Sequence, residues 1–354
     1  MRTLIRILLI VSALLTFGLY LGLNGEKEKD ILIHNDQPLS KEDLSLPDTD
    51  ENQQSGVEAP KDGLAALMGQ HSQTVQTALG APDRRDLSFY DYEWWIYQDP
   101  ENYIQVGIEA DKVVTIYANG KDSNVQPFHI GQPIEEIYTS VLIEMYVNLE
   151  YDKGSYQFEL SETDMNTRPL VKIGDYFAQL YIDKFTGSLS SVRYLDEKTL
   201  ITHRPYELTY RGPLLEPKPL DETKSDLVEA GMEQQILDIT NIIRSRHNAG
   251  PVTWDEKTAE VAVAHSKDMH DSGDFSHTSK TSGDLSDRLD AADVFYQLAG
   301  ENIAANYIDA PEVVEGWLNS QGHRETLLNP DYTHLGVGVY ERHYTQNFIQ
   351  NWEK

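Results

Sequence analysis

Trp317-Leu318-Asn319-Ser320-Gln321-Gly322-His323-Arg324 is the stretch that decides the fold of the last third of this chain. Two similar clusters precede it, Phe275-Ser276-His277 and Gly300-Glu301-Asn302-Ile303-Ala304. Each cluster contains side chains that can donate or accept a hydrogen bond or bind a metal ion. Small residues beside them allow another segment of backbone to approach closely. This combination predicts a cleft in which polar side chains from distant parts of the chain meet.

The composition excludes several classes of function. With 58 Asp and Glu against 29 Lys and Arg, the chain carries a formal net charge of -29. Because such a surface repels a phosphate backbone, nucleic acid is not expected as a partner. The chain has no cysteine, which excludes disulfides, thiol catalysis and thiolate metal sites. A length of 354 residues indicates two or three domains.

The N-terminus reads as an export signal. Arg2 and Arg6 precede an uncharged apolar run from Ile7 to Leu23, and this order keeps the arginines in the cytoplasm and sends the rest of the chain outside. The run is long for a signal-peptide core, and no small-x-small cleavage site follows it. We therefore favour an uncleaved membrane anchor over residues 1–23, with a cleaved signal peptide and secretion as the alternative.

Two polar segments divide the remainder of the chain. Residues 24–60 are acidic and lack a sustained apolar period, which predicts a flexible stalk. Residues 211–225 are rich in Pro and Gly and predict a linker. The folded regions are then an N-terminal domain over 61–210 and a C-terminal domain over 226–354.

The N-terminal domain contains an internal repeat. Met68-Gly69-Gln70 is echoed by Ile130-Gly131-Gln132, and the pattern of 103–109 by that of 177–183. Each copy reads as a short amphipathic helix followed by antiparallel strands, which predicts a duplicated α+β unit. The two copies span about 63–120 and 128–200.

Helix-capping residues punctuate the C-terminal domain. The predicted helices begin near Asp226, Asp255, Asp284 and Pro311. Two strands, 335–340 and 344–352, follow them. The order predicts a small sheet with helices on both sides.

These C-terminal motifs resemble the bacterial branch of the CAP superfamily, also called the SCP/PR-1-like domain. The resemblance covers about 225–354 and rests on Asn241 and Arg244, Val252–Asp255, Ala264-His265-Ser266, Ser276-His277, Gly300–Ala304, Trp317–Arg324, Leu327–Pro330 and Leu335–Val339. The preceding domain resembles the N-terminal domain that firmicute proteins carry ahead of a CAP domain. The resemblance implies an α-β-α sandwich with a groove lined by two histidines and two acids. His277, His323 and Glu301 match three of these four positions.

The fourth position departs from the family pattern. Animal and plant members carry a Glu three residues after the helix Trp, where this chain has Ser320. Either the second acid is missing, or Glu315 faces the groove from the same helix. His277, His323 and Glu301 could still hold a divalent ion such as zinc, with Ser320 bonding a bound water. Alternatively, the three side chains tie down their own loops and helix ends.

Three functions remain open for this domain arrangement. The first is a non-enzymatic, membrane-tethered binder of a small hydrophobic, lipid or peptide ligand at the cell envelope, with His277, Glu301, Ser320 and His323 in the groove. The second is a hydrolase of protein or cell-wall peptide, with His323, Glu301 and Ser320 as candidate catalytic residues. The chain has no Gly-x-Ser-x-Gly and no His-Glu-x-x-His, so enzymatic activity is not the default. The third is a structural envelope or spore-associated protein whose N-terminal domain holds a protein partner.

Several other residues have less specific interpretations. His265 and His270 lie on the second helix of the C-terminal domain without a matching partner, and His203, His334 and His343 are expected at the surface or in packing. Arg324 is either paired with a carboxylate or solvated at the surface.

Overall fold

Regular elements fill most of the chain that the structure, a computed structural model, describes: residues 32–34, 40–43 and 56–351. The strands are β1 Leu32–Ile33, β2 Ser40–Glu42, β3 Arg84–Leu87, β4 Glu93–Gln98, β5 Asn102–Glu109, β6 Lys112–Gly120, β7 Tyr146–Tyr151, β8 Gly154–Glu159, β9 Leu170–Ile173, β10 Tyr176–Asp183, β11 Ser188–Leu195, β12 Glu207–Arg211, β13 Thr253–Trp254, β14 Leu298–Ala305, β15 His334–Tyr340 and β16 His343–Gln350. The helices are α1 Ser72–Leu79, α2 Ile134–Ser140, α3 Glu162–Thr167, α4 Glu197–His203, α5 Glu222–Arg246, α6 Glu256–Ser272, α7 Leu285–Ala291, α8 Ala310–Leu318 and α9 Gln321–Leu327, with a 3₁₀ turn at Leu64–Leu67. The predicted anchor over 1–23 lies outside the described residues, within which no helix is long and apolar enough to span a membrane.

The C-terminal domain is a sandwich around a five-stranded sheet of order β1-β14-β16-β15-β13. Strand β15 shows why helices cover both faces: Leu335, Val337 and Val339 are buried in the same apolar cluster as α5 and α8. Gly336 and Gly338 point the other way, directly against the backbone of α6. The predicted α-β-α sandwich is confirmed.

The first helix of this domain starts earlier than predicted. Helix α5 begins at Glu222, and Asp221 caps it by accepting a hydrogen bond from the Lys224 backbone amide. The predicted start at Asp226 rested on Asp226-Leu227-Val228-Glu229, which has the form of a capping box but lies inside the helix. Strand β14 and helix α9 were also not predicted, since β14 is rich in small and polar residues and α9 has only seven residues, most of them polar.

The large N-terminal sheet repeats itself around its centre. Its order is β3-β4-β5-β6-β11-β10-β9, so the last strand of each predicted copy pairs with the other at β6 and β11. Each copy also has a register shift in its long hairpin, at Gly107/Ile108 in β5 and at Tyr181/Ile182 in β10. These are matching positions of the two copies. Strands β7 and β8 leave this sheet and form a second one of order β2-β12-β8-β7.

The two predicted domains are in contact through one shared apolar core. Trp94 of β4 lies in one buried cluster with Ile239 of α5 and Trp317 of α8. The other face of β4 buries Trp95 against the helices of its own domain. Both faces of the N-terminal sheet are therefore covered, because exposing either row of aromatic side chains would cost hydrophobic free energy.

Ion pairs surround this shared core. Four arginine–carboxylate pairs of the described residues join the domains: Arg193–Asp309 at 2.7 Å, Arg168–Glu312 at 2.6 Å, Arg324–Asp183 at 2.9 Å and Arg84–Asp238 at 3.0 Å. In each pair the arginine and the carboxylate come from different domains. Of the two alternatives for Arg324, the paired one is therefore correct, and its partner is the buried carboxylate of Asp183.

Parts of the predicted stalk form strands, so the expectation of a flexible segment over 24–60 does not hold for them. Strand β1 pairs in parallel with β14, and β2 pairs in parallel with β12. Val57 forms a bridge to Ile173. Each piece covers an exposed sheet edge and thereby satisfies backbone groups that would otherwise face solvent.

Candidate functional site in the CAP-type domain

The centre of the site is Glu301, in the middle of β14. Its side chain is 4% exposed and accepts a hydrogen bond from His277 Nδ1 at 2.9 Å and another from Arg288 Nη2. Arg288, in α7, also donates to the backbone carbonyls of His277 and Gly283. One guanidinium therefore joins the carboxylate to the loop that carries the histidine.

The electrostatics of this cluster keep Glu301 ionised. Burial favours the neutral acid, but the hydrogen bond from His277 and the charge of Arg288 outweigh it, and the pKa of Glu301 lies below its usual value. A buried carboxylate with a depressed pKa is a poor proton donor near neutral pH.

A fourth side chain, His265, lies beside this cluster, and like Arg288 it was not predicted from the sequence to belong to it. His265 of α6 is 1% exposed, and its Nε2 lies 3.9 Å from Glu301 Oε1. Burial lowers the pKa of His265 and favours the neutral ring. A signal was present: His265 lies three residues after Ala262 and four before Met269, both on the predicted buried face of that helix.

The serine and the second histidine form a separate contact. Ser320 precedes α9, and its Oγ lies 2.7 Å from Nδ1 of His323. His323 is 2% exposed, and its backbone carbonyl accepts a hydrogen bond from Asn302, the neighbour of Glu301 on β14. Ser320 and Glu301 thus contact different imidazoles, whereas a catalytic triad needs both on one.

Glu315 does not supply the second acid of the groove. Its Oε1 accepts hydrogen bonds from Tyr117 and from the hydroxyls of Ser190 and Ser191, all in the N-terminal domain. Burial raises the pKa of Glu315. The alternative in which Glu315 faces the groove is wrong, because the helix turns this side chain toward the domain interface.

The observed contacts do not fit a cation at the groove. Arg288 already binds one oxygen of Glu301, and His277 directs Nδ1 at the other. A divalent ion beside this carboxylate would face the guanidinium charge of Arg288. In the part of the chain that the structure describes, no group of three or more His, Asp or Glu is arranged to hold a metal ion.

A groove of about 750 Å³, distinct from the predicted one, lies between α6 and α7 and has Arg288 in its lining. None of the residues predicted to line the ligand groove, His277, Glu301, Ser320 and His323, lines this one. Its wall includes the apolar side chains of Val261, Ala264, Ala291 and Ala292. Arg288, held by its hydrogen bonds to Glu301 and to two backbone carbonyls, forms part of this wall. The groove therefore offers a mainly apolar surface.

Removal of the His277 ring is expected to weaken the fold moderately. His277→Ala deletes a hydrogen bond to an ionised group, which is worth about 1.5–3 kcal/mol. Urea unfolding at neutral pH measures this loss, and His129→Ala, which removes an exposed ring, is the control.

The pH dependence gives a second test. Because the pKa of Glu301 is lower in the folded than in the unfolded state, its ionised form stabilises the fold above the unfolded-state pKa of Glu301, and this stabilisation is lost as the pH falls. The difference between wild type and His277→Ala should therefore shrink in acid; a constant difference would contradict this assignment.

Comparisons with known proteins identify the class to which these two domains belong. The family of CAP-associated N-terminal domains matches residues 68–206, and the Cysteine-rich secretory protein (CAP) family matches residues 237–352. The chain belongs to the CAP superfamily, in the group whose CAP domain follows a CAP-associated N-terminal domain.

Individual proteins are similar to this chain over most of its length. YlbC of Bacillus subtilis, named an uncharacterized membrane protein, is 50% identical over 319 residues, which are 89% of this chain and 92% of YlbC. A crystal structure of an extracellular SCP-domain protein from Bacillus anthracis has 46% identity and a TM-score of 0.79, covering 85% of this chain and 99% of that one. A cysteine-rich secretory protein from Staphylococcus aureus has 26% identity and a TM-score of 0.75, covering 84% and 95%.

Proposed function

We propose that this protein is a non-enzymatic binder whose CAP domain takes a small, neutral, largely apolar ligand outside the cytoplasm. The observation that carries the proposal is the groove between α6 and α7, with Arg288 in its wall. Its volume of about 750 Å³ lies within the range of small-molecule sites, about 300–1,000 Å³.

The lining of the groove defines the class of ligand. The alanines and Val261 supply apolar contact. Glu260 and Asp287, both exposed in the groove wall, oppose a negatively charged head group. A neutral, largely apolar molecule satisfies both conditions.

The hydrolase hypothesis has less support. The contact between Ser320 and His323 favours it, but Glu301 orients His277 instead. Glu301 is also held ionised by Arg288, which leaves no carboxylic acid in this cluster for protonating a leaving group.

A membrane-tethered location outside the cytoplasm is part of the proposal. The two N-terminal arginines and the apolar run from Ile7 to Leu23 support an anchor. The name of one relative, a membrane protein, supports attachment to a membrane, and that of another, an extracellular protein, supports a position outside the cell.

Filling the groove should abolish binding without unfolding the protein. Ala264 is exposed in the groove wall, so Ala264→Trp places a large ring in the binding volume and leaves the core unchanged. We expect at least tenfold weaker binding of a neutral apolar fluorophore such as Nile red, together with loss of ligands retained from envelope lipid extracts. Fluorescence titration and native mass spectrometry measure the two effects.

The matched control is Ala230→Trp. Ala230 is an exposed alanine on α5, on the other side of the sheet from the groove. This variant should bind as wild type does. If Ala264→Trp also binds normally, or if the wild-type protein retains no ligand from the extracts, the groove is not the binding site.

A further inference from the structure

Two histidines that the groove and the Glu301 cluster do not use lie side by side at the end of α6. His270, in the last turn of α6, is exposed, and His343, the first residue of β16, is half-buried. Their ring centres are 5.3 Å apart, and the two ring planes make an angle of 82°. Because imidazole is the commonest metal ligand in proteins, this pair is a candidate metal site.

The packing of α6 on β16 brings the two rings together. Ser266 Oγ lies 2.8 Å from Thr345 Oγ1, and this contact fixes the position of the helix on the strand. His270 follows Ser266 by one turn on the same face of α6, and His343 precedes Thr345 by two residues on the same face of β16. Both histidines are therefore held by regular backbone, which is the support that a metal site needs.

The separation of the rings suits two imidazoles on one metal ion. Metal–nitrogen bonds of about 2.0–2.1 Å place the centres of two rings roughly 5 Å apart at a tetrahedral ion. The separation of 5.3 Å between His270 and His343 is close to this distance. The exposed ring of His270 can rotate about its side-chain torsions to direct a nitrogen at an ion shared with His343.

A backbone hydrogen bond prepares His343 for this role. Its Nδ1 lies 3.1 Å from the carbonyl oxygen of Glu341, and a carbonyl can only accept, so Nδ1 of the neutral ring carries the hydrogen. Nε2 then carries the lone pair that can bind a metal ion. Histidines that bind metals usually donate their other N–H to a carbonyl or carboxylate in this way.

The charges around the pair favour a cation. Helix α6 ends two residues after His270, and the last carbonyl groups of a helix carry a partial negative charge. The nearby ammonium of Lys267 is compensated by Asp271 at 3.0 Å. Arg342 places its guanidinium over the ring of Phe89, in the N-terminal domain. The net charge of -29 adds a general attraction for cations.

We propose that His270 and His343 together bind one divalent transition-metal ion, with water completing its coordination. Imidazole ligands suit copper, nickel and zinc, and the general order of affinities places Cu²⁺ first. The site has two protein ligands, so it differs from the groups of three or more that are absent from the described part of the chain. The ion joins the end of α6, a helix that lines the groove, to the central sheet.

Copper titration of the full-length chain in detergent tests this site. The wild-type protein should bind one Cu²⁺ with two imidazole nitrogens, which electron paramagnetic resonance detects. His270→Ala removes an exposed ring and should weaken Cu²⁺ binding at least tenfold, leaving one imidazole nitrogen. His129→Ala, at an exposed histidine of the N-terminal domain, is the matched control and should bind as the wild type does.

Thermal unfolding gives a second measurement. Because folding brings His270 and His343 together from distant parts of the chain, saturating Cu²⁺ should raise the unfolding midpoint of the wild type and of His129→Ala but not of His270→Ala. Copper binding that His270→Ala leaves unchanged, or a wild type without a one-to-one copper site, would overturn the proposal. A copper signal that His277→Ala removes and His270→Ala retains would also overturn it, because the ion would then lie at the Glu301 cluster.

Discussion

Arg193→Ala is expected to destabilise the whole protein by about 3–5 kcal/mol, the cost of leaving one member of a buried ion pair alone. Arg193 is 0% exposed, and its Nη2 donates to both oxygens of Asp309 at 2.7 and 2.8 Å. Urea unfolding at neutral pH measures the loss. Lys121→Ala, which breaks an exposed pair with Glu101, is the matched control and should leave the midpoint unchanged.

The charge on Asp309 causes this loss, and pH tests that explanation. Burial raises the pKa of Asp309, and Arg193 opposes the rise. Without Arg193 the raised pKa makes the folded state bind a proton more tightly than the unfolded state, so the stability of the variant should increase as the pH falls toward that pKa. Asp309→Asn in the Arg193→Ala background keeps the helix cap and removes the charge, and it should restore part of the stability. A double variant as unstable as Arg193→Ala would show that lost packing, not charge, is responsible.

Gly338→Ala is expected to cost about 3 kcal/mol or more, because the added methyl group meets backbone and not a movable side chain. A Cβ at Gly338 would lie 2.1 Å from the Val263 amide nitrogen and 2.2 Å from the Ala262 carbonyl carbon, both in α6. The helix must move away from β15 to accommodate it. Val261 and Ala264 on the same helix line the groove, so binding of the apolar fluorophore should weaken together with stability.

The control for Gly338→Ala distinguishes the cost of a steric clash from the cost of placing alanine in a backbone conformation that favours glycine. Gly69 has a φ of 72° and nothing within 4 Å of a built Cβ, so Gly69→Ala carries only the conformational cost of about 1–2 kcal/mol. Thermal unfolding and fluorophore titration of both variants give the comparison. If Gly338→Ala loses no more stability than Gly69→Ala and binds normally, the close contact of α6 with β15 does not position the groove.

The sequence predicted the CAP-type sandwich because its signals are local. Asp255 and Asp284 cap the helices that they were expected to cap, and the alternation of glycine with Leu335 and Val337 marks a strand with one crowded face. The repeat of the N-terminal domain was readable for the same reason, since matching short patterns recur in order.

The candidate site was only partly predictable, because side-chain direction depends on the neighbouring domain. Glu301 and His277 meet as the resemblance implied, but Arg288 was not anticipated as their third partner. Glu315 turned out to contact the N-terminal domain, a direction that no spacing within α8 could reveal. The close position of His265 likewise required the distance between a helix and a strand that are far apart in sequence.

The corner between α8 and α9 has a further consequence for how this protein unfolds. The Asn319 side chain donates a hydrogen bond to the Ile182 carbonyl and accepts one from the Lys184 amide. Arg324 donates two hydrogen bonds to the carboxylate of Asp183. The Trp317–Arg324 motif of the CAP domain therefore also binds the β10–β11 hairpin of the N-terminal domain. Together with the shared core around Trp94 and Trp317, these hydrogen bonds couple the two domains, so unfolding of either domain would expose apolar surface of the other.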